Sequence, residues 1–196
     1  MKLLLQKFKT KVIYELSKHL RPEMIGFLYW NDKKIVNTRI SNASHISNRS
    51  KIEIGSNVFI FHNVYIDGYK KVTLCDGVAI GHCCTLATHS AHQSLRLYGN
   101  AYINTPVSEL KGLLSGEIYI GNYTFVGPNC VIMPGTRIGK GCIVAAFSFV
   151  TGDFPDYSII KGNPAVVIGN TKQLDEQFLN RYPELRATYF DQQANL

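Results

Sequence analysis

Residues 118–153 read IYIGNY TFVGPN CVIMPG TRIGKG CIVAAF SFVTGD. Ile120, Val126, Ile132, Ile138, Val144 and Val150 recur at a step of six, and Gly121, Gly127 and Gly139 follow three of them. Two residues ahead of the branched positions runs a second row, Thr124, Cys130, Thr136, Cys142 and Ser148, every member small. A period of six is a multiple of the strand period of two and is out of phase with the helical 3.6. Each unit is therefore expected to be a short strand with its branched residue inward, followed by a turn to which glycine lends backbone freedom.

The frame extends toward the N-terminus. Ile40, Ile46, Ile52, Val58 and Val64 keep the step, and Ile54, Ile60 and Ile66 follow the last three by two residues. From Val64 to Val72 the step is eight, so the tip at Gly68–Tyr69–Lys70 carries two extra residues. Val72, Val78 and Cys84 then resume the six. A sandwich of short strands would space its turns irregularly, at about 8–12 residues, which an unbroken hexad contradicts.

This pattern of branched residue, glycine and small residue resembles the hexapeptide-repeat acyltransferases over residues 40–169, close to their galactoside, maltose and polysaccharide O-acetyltransferase branch. The resemblance implies an all-β fold, a left-handed parallel β-helix with three short strands per coil, assembled as a homotrimer with sites between subunits. The left hand comes from the family; the usual crossover rule favours the right.

Around the coil, residues 1–39 are expected to form a basic helical segment and residues 170–196 a C-terminal helix. In the first, Leu4, Phe8, Val12, Leu16 and Leu20 repeat at four, lysines occupy other faces, and Pro22 stops the run. In the second, Asn170 or Thr171 is the cap and Pro183 the break. Between them the hexad vanishes over residues 87–117, a length that marks a functional loop.

The formal net charge is +7, and residues 1–39 hold +6 of it, so the nearly neutral coil offers no nucleic-acid stripe. The five cysteines form no C-x-x-C pair, which argues against a disulfide framework or zinc knuckle; the expected setting is reduced and cytoplasmic. No run of about 20 apolar residues is present to span a membrane, and Leu3–Leu5 is too short for a secretory core.

The excursion opens with Thr88-His89-Ser90-Ala91-His92-Gln93-Ser94-Leu95-Arg96, similar to the H-x-x-H-x-x-L-R segment of galactoside and maltose acetyltransferases. There the first histidine is the general base, a role the resemblance carries to His89, with His92 as fallback. A hydroxyl needs such a base to attack a thioester. Ala145 to Asp153, then Gly162-Asn163-Pro164-Ala165, resemble the family's coenzyme A segment, making Ala146, Thr151, Asn163 and Pro164 candidates to line acetyl-CoA.

The family lysine after the threonine is Gly152 here, which leaves Lys140, Lys161 or Lys172 for the phosphates. Pro128 occupies the position whose N–H forms the family's oxyanion hole; proline has none, so Gly127 is the candidate replacement. Asn63, Asp67 and Arg96 are candidates for the acceptor sugar. The implied activity is acetyl-CoA-dependent O-acetyl transfer to a cell-surface glycan or its precursor, without a metal. Rival readings are N-acetylation of an amino sugar, acetylation of an antibiotic, a metal-binding coil using His62, His82 and His89, or a structural coil. The basic helix docks on its own trimer or on an anionic membrane. If it touches membrane, removing residues 1–21 releases the protein from anionic vesicles in a flotation assay; unchanged binding refutes that contact.

Overall fold

The chain enters its coil through a hairpin, β1 (Met24–Trp30) against β2 (Lys33–Ser41), turned at Asn31 and Asp32. The computed structural model describes Val12 and residues 21–193. The reading of residues 3–20 as a helix lies outside the described residues except at Val12. Over residues 24–39 the expected helical segment is replaced by this hairpin. Asn31 takes a positive φ of 49°, as tight two-residue hairpin loops require, and Trp30 and Ile35 are buried on the coil.

From β2 the strands cycle through three faces. The first coil continues with β3 (His45–Ile46) and β4 (Ile52–Ile54), the second is β5 (Phe59–Ile60), β6 (Tyr65–Ile66) and β7 (Val72–Leu74). The third begins with β8 (Ala79–Ile80) and β9 (Thr85–Leu86). There the chain leaves as β10 (His89–Ser90), helix α1 (His92–Tyr98) and β11 (Leu114–Ser115), which pairs antiparallel with β10, and re-enters as β12 (Ile118–Ile120). The fourth coil is β13 (Phe125–Val126), β14 (Val131–Ile132) and β15 (Arg137–Ile138). The fifth is β16 (Ile143–Val144), β17 (Phe149–Val150) and β18 (Asp153–Phe154).

Within the coil the pairing is parallel and the faces stay separate: β2-β5-β8-β13-β16 on the first sheet, β3-β6-β9-β14-β17 on the second, β4-β7-β12-β15-β18 on the third. The excursion leaves this register intact, since Ile118 still pairs with Val72 and Ile120 with Leu74. A closing hairpin of β19 (Ser158–Gly162) and β20 (Ala165–Asn170) ends the first sheet, its turn containing a cis Asn163–Pro164 bond. Asn170 then caps α2 (Thr171–Arg181) by accepting from the Lys172 N–H, and α3 (Phe190–Gln193) follows.

The inward residues are those of the hexad. Ile60, Ile66, Leu74, Ile80, Leu86, Ile120, Ile132 and Ile138 are fully buried, each burial stabilising by about 1.5–3 kcal/mol relative to exposure. The row of small residues is buried too, and its polar atoms answer corner carbonyls: Thr124 Oγ1 donates to Gly139 O, Cys84 Sγ to Gly127 O and Cys130 Sγ to Ala145 O. Cys84, Cys130 and Cys142 are thus compact core fillers, and all five cysteines are unpaired thiols.

The glycines divide into two kinds. Gly77, Gly135 and Gly141 take the positive φ expected at turns, as do Asn57, Asn63, Tyr123 and Asn129, whereas Gly81, Gly121, Gly127 and Gly139, which follow the branched residue, do not. The hexad glycines serve close approach, because a Cβ on Gly121 would lie 2.6 Å from backbone atoms of Gly139 and Lys140 in the next coil. Gly121→Ala is expected to lower stability by about 1–3 kcal/mol in chemical denaturation. Gly26→Ala, with nothing within 4 Å, should change it by less than about 0.5 kcal/mol. Equal effects would contradict the packing role.

Candidate active site

The corner between the second and third sheets is where the hexad is broken twice. Residues 67–71 carry the two-residue insertion, and the excursion departs from the next coil at residue 87. The ladder places the two departures against each other, since the Asp67 N–H donates to Leu86 O at 2.9 Å. Asp67, Thr88 and His89 consequently meet.

Asp67 is 5% exposed. Its Oδ2 accepts from His89 Nδ1 at 2.5 Å, from Thr88 Oγ1 at 2.7 Å and from the Thr88 N–H at 3.0 Å. Its Oδ1 accepts from the Tyr69 N–H at 3.1 Å. Burial pushes this carboxyl upward, but the hydrogen bonds from Thr88, His89 and Tyr69 outweigh it and hold Asp67 below the usual carboxylate range. An ionised Asp67 can only accept, so Nδ1 of His89 carries the proton and the lone pair of the neutral ring sits on Nε2. The His89 side chain remains 37% exposed, and the Tyr69 ring lies across it with centroids 4.7 Å apart and a 41° tilt. The result is an oriented imidazole with a free basic nitrogen, the requirement for general base catalysis.

Asp67 was expected to meet the sugar directly; instead its carboxylate is spent on His89, Thr88 and Tyr69. Asn63, grouped with it from sequence, sits at the preceding corner with φ 59° and is exposed. His92 begins α1, exposed, with Nδ1 2.9 Å from Ser90 Oγ, and Arg96 reaches back to His92 O. His62 bonds Ser41 Oγ at 2.6 Å and lies tilted against His82, 5.2 Å between centroids, at the corner between the first and second sheets. Those two histidines are therefore not brought to His89, and no group of three metal-ligating side chains occurs among the described residues.

Ala146 is exposed at that first corner, beside Gly127 and Pro128 of the coil below. The Gly127 N–H donates to Val144 O at 2.8 Å. It is a ladder bond, so Gly127 cannot supply the missing oxyanion donor. Thr151 is exposed on the His89 corner, two coils onward, roughly 10 Å along the axis at a strand spacing of about 4.8 Å. Lys161, Asn163 and Pro164 are exposed in the closing hairpin.

Lys140 departs from its expected phosphate role. It lies at the third corner, its Nζ 2.8 Å from Asp191 Oδ1, and Lys172 Nζ is 3.2 Å from Oδ2 of the same carboxylate. These partners hold Asp191 far below the carboxylate range, Lys140 contributing most. A groove of about 600 Å³ between Trp30 and Asp76 crosses the third sheet and is lined by no histidine. Sequence reasoning missed Tyr69 and Thr88, although the eight-residue step marked the segment that carries Tyr69.

The family described as bacterial transferase hexapeptide (six repeats) matches residues 117–152. Galactoside O-acetyltransferase of Escherichia coli K12 is 32% identical over 136 residues, 68% of this chain and 61% of that one. A second Escherichia coli K12 protein, named for lipopolysaccharide biosynthesis O-acetyl transfer, is 30% identical over 117 residues, covering 57% and 59%. The chain spans about half to three-fifths of the length of the curated relatives it matches. Among solved structures, a galactoside acetyltransferase in complex with coenzyme A superposes with TM-score 0.56 at 28% identity, over 72% of this chain and 67% of that one. A hexapeptide-repeat acetyltransferase of Vibrio cholerae complexed with acetyl coenzyme A gives 0.59 at 25% identity, with 69% of each chain covered. Residues 117–152 thus carry the repeat of the bacterial transferase hexapeptide family, and over about two thirds of its length the chain is similar to hexapeptide-repeat acetyltransferases.

Proposed function

We propose that the chain is an acetyl-CoA-dependent O-acetyltransferase acting on a sugar hydroxyl of a cell-surface polysaccharide, a lipopolysaccharide or a precursor. The observation that carries this reading is the Asp67–His89 pair, which leaves Nε2 of a half-exposed imidazole free to take a proton. The relatives named for O-acetyl transfer and the neighbours holding coenzyme A support the donor and the reaction class.

The residues present fit such a donor. Ala146, Thr151, Lys161, Asn163 and Pro164 are all exposed, and Gly135 and Gly152 face open space, so backbone can approach a long, thin molecule. Bound there, acetyl-CoA supplies the acetyl group as a thioester. His89 Nε2 takes the hydroxyl proton as the sugar oxygen attacks, and gives it up to the departing thiolate. Asp67 holds the ring in its tautomer and favours the imidazolium that forms.

Ala146 lies at one corner of the prism and His89 and Thr151 at another. One chain does not close the site with both, whereas a neighbouring chain presenting its first corner would. This favours assembly as a homotrimer, and the left hand of the coil is carried over from the family resemblance. Exposed Leu95, Leu97, Ile103 and Phe147 offer the apolar surface for such contacts. Five unpaired thiols suit the cytoplasm, and no described helix is long and apolar enough to cross a membrane. On this reading residues 40–169 are the transferase unit, with 87–117 as its excursion.

His89→Ala should reduce thiol release from acetyl-CoA with a sugar acceptor by about 100-fold or more; near-normal turnover contradicts the assignment. Asp67→Asn should lower kcat by about 10- to 100-fold while leaving KM for acetyl-CoA unchanged. The same variant tests stability. Because Asp67 is held below its ordinary value, its stabilising effect is in force above about pH 4 and fades as pH falls further. The wild-type advantage over Asp67→Asn in denaturation midpoint should therefore shrink between pH 5 and pH 3, and a constant gap refutes this.

A further inference from the structure

We infer that the acceptor taken at His89 is anionic, carrying a phosphate or carboxylate about one sugar ring from the hydroxyl that reacts; this rests on the acetyl-transfer reading. The corner that holds His89 is polarised along the coil axis. Beyond His89, toward the C-terminus, lie Thr151 and the segment assigned to the donor. Before it lie Lys51 of the first coil and Lys70 of the second, with Ser50, Lys71, Glu53 and Glu117, around a groove of about 330 Å³.

Both lysines converge on the tyrosine that covers the base. Lys51 Nζ donates to Tyr69 O at 2.8 Å and stands 5.9 Å from its ring centroid; Lys70 Nζ stands 5.6 Å from that centroid. The same tyrosine ring lies against the His89 imidazole, 4.7 Å between centroids. Both ammonium groups and the base thus meet on one aromatic side chain. The tip is also tied to the base: Thr88 Oγ1 accepts from the Lys70 N–H at 3.0 Å and donates to Asp67 Oδ2 at 2.7 Å. The insertion at residues 68–70 therefore fixes cations and base in one frame.

The acids of the groove leave it net positive, three lysines against two glutamates. Glu53 is 2.8 Å from Lys71, and Glu117 adds to the field that keeps Lys71 charged. Lys51 and Lys70 have no carboxylate within 4.0 Å among the described residues. Two ammonium groups with no carboxylate in contact, beside a tyrosine, form a point-charge site for an anion, and the tyrosine face suits a sugar ring. A neutral acceptor would leave that charge without use.

The test compares glucose, glucose 6-phosphate and glucuronate on the full chain, with Lys51→Gln/Lys70→Gln as the variant. Binding is read by titration calorimetry and turnover by thiol release from acetyl-CoA. The expected result is that an anionic sugar binds about tenfold more tightly than the neutral one. The double variant should erase this preference while leaving KM for acetyl-CoA in place. Equal affinity for all three sugars overturns the inference, as does a variant whose loss falls on KM for acetyl-CoA, which would assign the lysines to the donor. Lysine-dependent binding without thiol release from any acceptor refutes the acetyl-transfer reading and leaves the anion site standing. Thiol release with no charge preference does the reverse.

Discussion

Each turn of this chain has to return to its starting face displaced by one strand spacing, and the ladder of parallel hydrogen bonds enforces it. Three two- or three-residue strands and three corners fill that circuit, so a corner has room for backbone and little more. Gly81, Gly121, Gly127 and Gly139 stand where the next coil's peptide leaves no space for a Cβ. The buried threonines and cysteines stand where a corner carbonyl turns inward and needs a donor. With so rigid a frame, a departure from six residues has to be accommodated outside the prism.

Both departures fall on the same corner of adjacent coils, and the candidate site is what they make together. The insertion brings Tyr69 and Lys70 outward and sets Asp67 under the point where the excursion leaves. One nearly buried carboxylate then serves structure and chemistry at once. It ties down the first residues of the excursion through Thr88, and it dictates which nitrogen of His89 is free. A buried anion is tolerable here because four hydrogen bonds replace the water it has lost.

The hexad made the strands, the inward residues and the small core row legible, since a fixed period is visible in one sequence without further information. The hand of the coil is not contained in a period and came only with the resemblance. The hairpin at residues 24–41 was hidden by the lysines around it. Its signals were local ones: Asn31-Asp32 as a turn and the burial of Trp30 and Ile35. Asp67 was noticed for being polar, but its partner lies 22 residues on, just past the point where the period stops predicting neighbours. Lys140 was misjudged for a similar reason: its carboxylate, Asp191, comes from the tail, which the repeat cannot place. Gly127 failed as an oxyanion donor because the ladder that gives the fold its stability consumes its N–H.

The orientation of the His89 ring is the point on which chemistry and fold meet. Long-range ¹H–¹⁵N correlation spectra of the imidazole, recorded where the ring is neutral, report its tautomer directly. A protonated Nδ1 with an unprotonated Nε2, scrambled by Asp67→Asn, is the expected outcome. A neutral His89 carrying its proton on Nε2, or a tautomer indifferent to residue 67, would contradict it.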